Sequence, residues 1–435
     1  MSLNFKTLVA VTALAAAAAL PVAAEGEPRY IEFSPRAVKG ALYAPSGGVQ
    51  PKVAIIAMHR TSNYMNHLVA KEMSKRGFLV LGMNPRSDNN EAAVNFDQNI
   101  QDLRKGVEFL KKQPGLAKVL LFGASGGGPT TTYYQAVQEV GLAYCKGANK
   151  LWECASEVAG GPKADGLILY DAHPGNPVNT LRSLNPSILD EADPTKVEPS
   201  LDPFNPANGF NPDGPSTYSG EFKARYFKAQ SERMNRLIDK ALKMRADMKA
   251  GRHATPDNDV FTFYRNRARL MELDMTVHPG TLKPRKLLKN DGSVDDSKPV
   301  MSVRQPNPAN ARRDKRFSSG VKALTVTAFL TANATRSANS DDGVDACSSN
   351  NSTHCAIQSI TVPVLVIAMG GHYFIRDNEI TFELAKSQDK DYVVVEGATH
   401  TGTPCAPCAK ATGKDYSNAT KNVFDYMAKW INARY

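Results

Sequence analysis

What most limits the fold of this chain is a glycine-rich turn, Gly123-Ala124-Ser125-Gly126-Gly127, set between a strand-like and a helix-like run. The run before it, Lys118 to Phe122 (KVLLF), is short and continuously apolar, as a strand buried on both faces is. The run after it, Thr130 to Val140, reads as a helix. So sharp a passage from strand to helix forces its central residue into a strained backbone conformation, and the neighbours must be small so that other segments can approach. A serine there is held clear of the sheet. The N–H that follows it, Gly126, sits at the start of a helix, where it favours negative charge. A dinucleotide-binding loop would follow the first strand of its sheet and carry G-x-G-x-x-G. This loop follows a later strand and lacks that spacing.

The same alternation extends to both sides. Lys52 to Met58 (KVAIIAM), Phe78 to Met83 (FLVLGM) and Gly166 to Tyr170 (GLILY) read as buried strands. Asn66 to Arg76 reads as a helix closed by Gly77, and Asn99 to Lys112 as one with Ile100, Leu103, Val107 and Leu110 on one face. From Pro174 to Ser219 the chain turns rich in Pro, Asn and Asp. Glu221 to Lys249, Phe261 to Met275 and Val321 to Ala332 then read as helices, around a polar, basic stretch from Lys283 to Asn310. The alternation resumes with a strand at Val362 to Ala368 (VPVLVIA) and a helix from Asp377 to Lys386, with Asp377 as its N-cap. A strand from Asp391 to Val395 and an amphipathic helix from Asn418 to Ile431 close the chain. The expected class is α/β: a mostly parallel central sheet flanked by helices, formed by residues 25–173 and 358–435. Residues 174–357 are expected to be a mainly helical cap inserted between the strands ending near Asp171 and beginning near Val362.

Lys6 followed by an apolar run from Leu8 to Leu20 and the small residues Val22-Ala23-Ala24 reads as a signal peptide, cleaved after Ala24. The run is short for a bilayer span, which needs about 20 residues. The expected location is therefore periplasmic or extracellular, with no membrane span. The six cysteines agree, lying in sequence-local pairs: Cys145 with Cys154, Cys347 with Cys355, and Cys405 with Cys408. Cys405-Ala-Pro-Cys408 as a redox motif would need a helix N-terminus after a thioredoxin-like strand, and neither is evident. No other Cys/His cluster has metal-ligand spacing, so no metal and no cofactor are expected. The net charge of +10 suits a solvated basic face, and no nucleic-acid motif accompanies it.

A serine hydroxyl needs a base to become a nucleophile. Among eight histidines, His400 stands out, just after the last strand in Glu396-Gly-Ala-Thr-His400. The end of that strand shares an edge of a parallel sheet with the serine turn. Strand order, serine turn, Ser-before-His order and late His together resemble the α/β-hydrolase family, over about Pro51 to Asp171 and Thr361 to Trp430. The resemblance implies a Ser125–His400–acid triad. It also implies an oxyanion loop at His59-Arg60-Thr61, with Gly126 and Arg60 or Thr61 as backbone donors. Family members often begin that loop His-Gly; here Arg60 takes the glycine position, and His59 and Arg60 become candidates for substrate contact. The usual acid would follow Val362 to Ala368, but Met369-Gly-Gly-His-Tyr373 holds no carboxylate. Asp171, at the end of the strand after the serine helix, is the first candidate, Glu379 the second and Asp377 the third.

The function expected is hydrolysis of a carboxylic ester, small or polymeric, through an acyl-enzyme, with the cap as a lid over Ser125. Amidase, peptidase or lactonase chemistry on the same fold is the alternative. A non-catalytic exported binding protein is another, kept open by the missing acid after Ala368.

Overall fold

The computed structural model describes residues 27–265, 269–307 and 320–435. The signal-peptide reading of residues 1–24 lies outside them. Two strands that the sequence reading passed over begin the described chain, β1 (Arg29–Glu32) and β2 (Lys39–Tyr43). They are followed by β3 (Val53–Met58), helix α1 (Leu68–Ser74), β4 (Leu79–Asn84), helix α2 (Phe96–Lys111), β5 (Lys118–Ala124), helix α3 (Gly127–Val140) and β6 (Gly166–Tyr170).

The insertion opens with helix α4 (Asn176–Ser183) and the long helix α5 (Gly220–Lys249). It is richer in strands than its sequence suggests. Phe261 to Met275, read as a helix, holds β7 (Val260–Tyr264) instead, and the helix read over Val321 to Ala332 is split into β12 (Val321–Thr325) and a helix at Val326–Ala332. The two strands pair with each other, so that alternate apolar residues, Phe261 and Phe263, pack on Phe329. Between them lie β8 (Gly280–Pro284), β9 (Lys286–Leu288), β10 (Val294–Asp295) and β11 (Pro299–Met301). After them come β13 (Ser337–Asn339) and β14 (Gly343–Val344). Strand β15 (Val364–Met369), a helix at Ile375–Leu384, β16 (Lys390–Val395) and a helix at Ala419–Asn432 complete the chain. Among the described residues no helix is long and apolar enough to cross a membrane.

The central sheet runs β1-β2-β4-β3-β5-β6-β15-β16-β9-β10. Pairing is parallel from β4 through β3, β5, β6, β15 and β16 to β9, and antiparallel at both outer ends. The insertion therefore contributes strands to the central sheet itself. Successive strand residues point to opposite faces. Ala54, Ile56 and Met58 join α2 and α3, through Leu103, Val107 and Val137, and residues of the insertion such as Met234 and Phe329. Ile55 and Ala57 join the other face, with Val69 and Met73 of α1 and Phe424, Met427 and Ile431 of the last helix. The continuous apolar runs in the sequence reflect this covering of both faces, each large side chain contributing about 1.5–3 kcal/mol.

The order β4-β3-β5 reverses direction at β3, and in such sheets the crevice at the carboxyl ends of the strands is where ligands bind. The turn after β5 is packed closely there. A side chain at Gly127 would stand 2.7 Å from Met58 O, and one at Gly123 2.7 Å from Gly127 O and 2.8 Å from Gly128 Cα. Since backbone cannot yield as a flexible side chain can, Gly123→Ala is expected to cost about 1–3 kcal/mol, seen as a lower urea midpoint. A midpoint equal to the parent's would mean that β5 and α3 do not close on each other this tightly.

Candidate active site

Ser125 has φ 53°, in the left-handed region that costs a residue with a side chain about 1–2 kcal/mol. The fold holds it there from several directions. Its N–H donates to Tyr170 O (3.3 Å) at the end of β6, and its carbonyl accepts from His173 N (3.0 Å) and Gly128 N (3.1 Å). The Tyr64 hydroxyl donates to Ala124 O at 2.8 Å.

Three groups read from the sequence meet at this turn. His400 Nε2 lies 2.9 Å from Ser125 Oγ, and His400 Nδ1 lies 2.6 Å from Asp171 Oδ2. Asp171 is fully buried, itself at positive φ (43°), and its N–H donates to Ile367 O on β15 at 2.7 Å. Its other oxygen accepts from Met369 N at 3.3 Å. Burial alone would push the Asp171 carboxyl up; the neighbouring His372 and the contacts from both histidines outweigh it and hold the group below the usual carboxylate range. The loop bearing His400 is tied down on both sides. Tyr170 Oη donates to Thr401 O (3.3 Å), Thr399 N to Thr403 O (2.8 Å) and Cys405 N to Gly397 O (2.9 Å).

The other two candidate acids are engaged elsewhere. Asp377 is not an N-cap: the helix begins at Ile375, and Asp377 is buried against Arg182 Nη1 at 3.0 Å. Glu379 accepts from Leu282 N (2.8 Å), Lys283 N (3.2 Å) and Arg285 Nε (3.0 Å), clamping the insertion to this helix. Glu379 also pairs with Arg376 Nη1 (2.6 Å) on its own helix, but Arg182 and Arg285, which hold Asp377 and Glu379, come from distant segments that local spacing does not reveal.

Two histidines join the site that sequence reasoning did not single out. His173 Nε2 lies 2.9 Å from Ser125 Oγ, and its carbonyl accepts from Thr353 Oγ1 at 2.6 Å. Its position two residues after Asp171, at the carboxyl end of the same strand, was the available signal. His372 occupies the stretch after β15 where the acid was first sought, and its Nδ1 approaches Asp171 Oδ2 at 2.7 Å, off the direction of a good hydrogen bond. Burial, with the charges of His400 and Arg60, holds His173 well below the usual histidine range, which favours the neutral ring. The protons can then be assigned. With Nδ1–H of His400 toward Asp171, its Nε2 accepts from the serine hydroxyl. His173 must then donate Nε2–H to the same oxygen, leaving its buried Nδ1 bare and without a partner among the described residues.

At the end of β3, His59 is buried, and its Nδ1 accepts from Thr61 N (3.1 Å) and Ser62 N (2.9 Å). The Thr61 N–H is thereby used, which leaves the Arg60 N–H beside Gly126 as the second candidate oxyanion donor. The Arg60 carbonyl is fixed by Ser87 Oγ (2.6 Å) and Asn99 Nδ2 (3.0 Å), so this loop is set before any ligand arrives.

The six cysteines form the three sequence-local pairs. Cys405 does cap a helix, Ala406–Thr412, contrary to the reading that no helix start was evident there. Its disulfide with Cys408 braces the loop that carries His400. Asp171, His372 and His400 bring ligand-type atoms within 4.8 Å of one another, the one such group among the described residues. A metal there would compete with Ser125 and the His400–Asp171 bond for the same atoms.

Besides His173, burial holds His59, His354 and His372 below the usual range and His67 at about 4. A histidine depressed by folding takes its proton first in the unfolded chain. Its stabilisation is complete above the unfolded value and is lost as pH falls toward the folded one. For His67 that window runs from 6.5 down to about 4. Each such ring steepens the loss by about 1.4 kcal/mol per pH unit inside its window. Denaturant midpoints should accordingly fall between pH 7 and pH 5; a flat or rising midpoint would show that these rings are not held neutral.

A comparison with protein-family models finds no match, and one with curated proteins finds none either. Among solved structures, the chain is similar to the alpha/beta hydrolase GrgF from Penicillium sp. sh18, at 11% identity and TM-score 0.43, over 93% of this chain and 98% of that one. It is also similar to a monoacylglycerol lipase from Paleococcus ferrophilus (12% identity, TM-score 0.38, 91% and 98% covered). A third is Est1E from Butyrivibrio proteoclasticus (11% identity, TM-score 0.38, 93% and 99% covered). Likeness this distant transfers no activity. The strand order, the serine turn after β5 and the edge it shares with β3, β6, β15 and β16 make this chain a protein of the α/β-hydrolase fold.

Proposed function

We propose that this protein is an exported serine hydrolase that cleaves carboxylic esters through an acyl-enzyme. The observation that carries the reading is the unbroken chain from a backbone-strained Ser125 through His400 to a buried Asp171, at 2.9 and 2.6 Å. His400 takes the hydroxyl proton as Ser125 Oγ attacks the ester carbonyl. Asp171 holds the ring in the required tautomer and stabilises its positive charge. The N–H groups of Gly126 and Arg60 receive the oxyanion. His400 then gives its proton to the departing alcohol. Water, activated by the same ring, releases the acid and restores Ser125. His173, donating to Oγ, holds the serine oxygen in place while His400 takes its proton. The insertion, whose Thr353 holds the His173 carbonyl, forms one wall over the serine.

The contact between Asp171 and His400 weighs against the binding-protein reading, since the carboxylate missing after Ala368 is supplied from β6. Export is supported by the pattern of residues 1–24 and by the three disulfides. Mass spectrometry of the exported protein is expected to find Glu25 as its first residue; a retained leader would count against cleavage there.

The decisive measurement is hydrolysis of p-nitrophenyl butyrate together with labelling by a fluorophosphonate. The parent protein should do both and Ser125→Ala neither, while Asp171→Asn should lower kcat by about 10³–10⁴-fold without abolishing labelling of the folded protein. A parent that neither turns over the ester nor takes the label would end this reading in favour of a binder.

A further inference from the structure

A cavity of about 170 Å³ lies between the oxyanion loop, the segment after β6 and the insertion. His173, which holds Ser125 Oγ, forms part of its wall, so it adjoins the reacting atom. A larger cavity of about 440 Å³, lined by residues such as His278 and Asp342, touches none of Ser125, His400 or Asp171. The smaller one is strongly basic, with Arg60, Lys322, Arg265 and Arg269 in its walls.

Arg60 is the informative residue. It is 6% exposed, and its Nη2 pairs with Glu91. Its Nε and Nη1 are buried and meet no hydrogen-bond partner among the described residues. A guanidinium cannot shed its charge as a buried amine can, so unmatched donors in such a place are costly unless a ligand completes them. Glu91 is shared, accepting also from Lys322 Nζ at 3.2 Å. Glu272 answers Arg269 at 3.1 Å. Among the described residues, the single carboxylate of Glu91 answers both Arg60 and Lys322, so this pair carries one more positive charge than negative. Nη1 also lies against Gly126, where a side chain would collide with Arg60 Nη1 and His59 Nε2. The donor lacking a partner thus lies against the residue that offers the oxyanion N–H.

Resting on the serine-hydrolase reading, we infer that this cavity receives a carboxylate carried by the substrate itself. The preferred substrates are then half-esters or ester-acids, in which a short arm joins the free carboxylate to the ester that Ser125 attacks. The arm belongs to the acyl or the alcohol portion, and the Arg60–Lys322 pair selects for the charge at its end.

Size-matched pairs of esters test this. p-Nitrophenyl hydrogen glutarate against p-nitrophenyl valerate places the charge on the acyl side, and 4-acetoxybenzoate against 4-acetylphenyl acetate places it on the alcohol side. The parent protein should favour the charged member of at least one pair by roughly tenfold or more in kcat/KM, chiefly through KM. Lys322→Met and Arg60→Met, checked for folding by circular dichroism, should each reduce that ratio toward one. Turnover of the neutral esters with no preference in either pair would overturn the inference and leave the serine-hydrolase reading intact. An equal loss on charged and neutral esters in Arg60→Met, with the ratio preserved, would also overturn it, because Arg60 would then serve the oxyanion. If no ester is turned over and the fluorophosphonate does not react, the parent reading has failed, and calorimetry with glutarate and benzoate decides the cavity. Binding that Lys322→Met weakens would uphold the anion site, and absence of binding would overturn it.

Discussion

A serine held at φ 53° persists only where the surroundings over-determine it, and here the end of β6 does most of that. Tyr170 accepts the Ser125 N–H, and His173 returns an N–H to the Ser125 carbonyl. Between those two residues stands Asp171, also at positive φ, with its carboxylate turned toward His400. One short segment therefore fixes the serine backbone and supplies both the candidate acid and a second histidine on the serine oxygen. β5 and β6 are paired in register from Leu120–Gly166 to Ala124–Tyr170, so these groups arrive side by side as the strands end.

Placing the carboxylate on β6 has consequences across the sheet. The position after β15 is left to His372, which packs against His400 with ring centroids 4.4 Å apart and approaches the same Asp171 oxygen. The carboxylates nearby in sequence, Asp377 and Glu379, are used to anchor the insertion through Arg182 and Arg285. The insertion is thus bound to the core by buried ion pairs, by β9 in the central sheet and by the shared apolar cluster around Phe261 and Phe329.

Much of this was legible in the sequence. The parallel core appeared because strands covered on both faces must be continuously apolar, and the serine turn because close backbone approach admits only glycine. The disulfides followed from short spacing. Less legible was the insertion, where β7 and β12 read as helices: their alternate apolar residues are few, and the strands are stable only through each other and Phe329. The short strands β9 and β10 carry little periodicity of their own. They become strands because β16 offers an open edge.

By itself, the sequence determined the layering, the strand-to-helix turn at Ser125 and the late histidine at His400, because each depends on local pattern and chain order. Only the tertiary structure decided which carboxylate meets His400, since Asp171, Asp377 and Glu379 differ in neighbours drawn from distant segments. It also decided that His173 and His372 belong to the site, that Thr61 spends its N–H on His59, and that Arg60 is buried with donors to spare. Those are properties of convergence at a sheet edge. Hydrogen bonds and burial there are set by strand pairing over hundreds of residues of separation, as between Ser125 and His400, 275 positions apart.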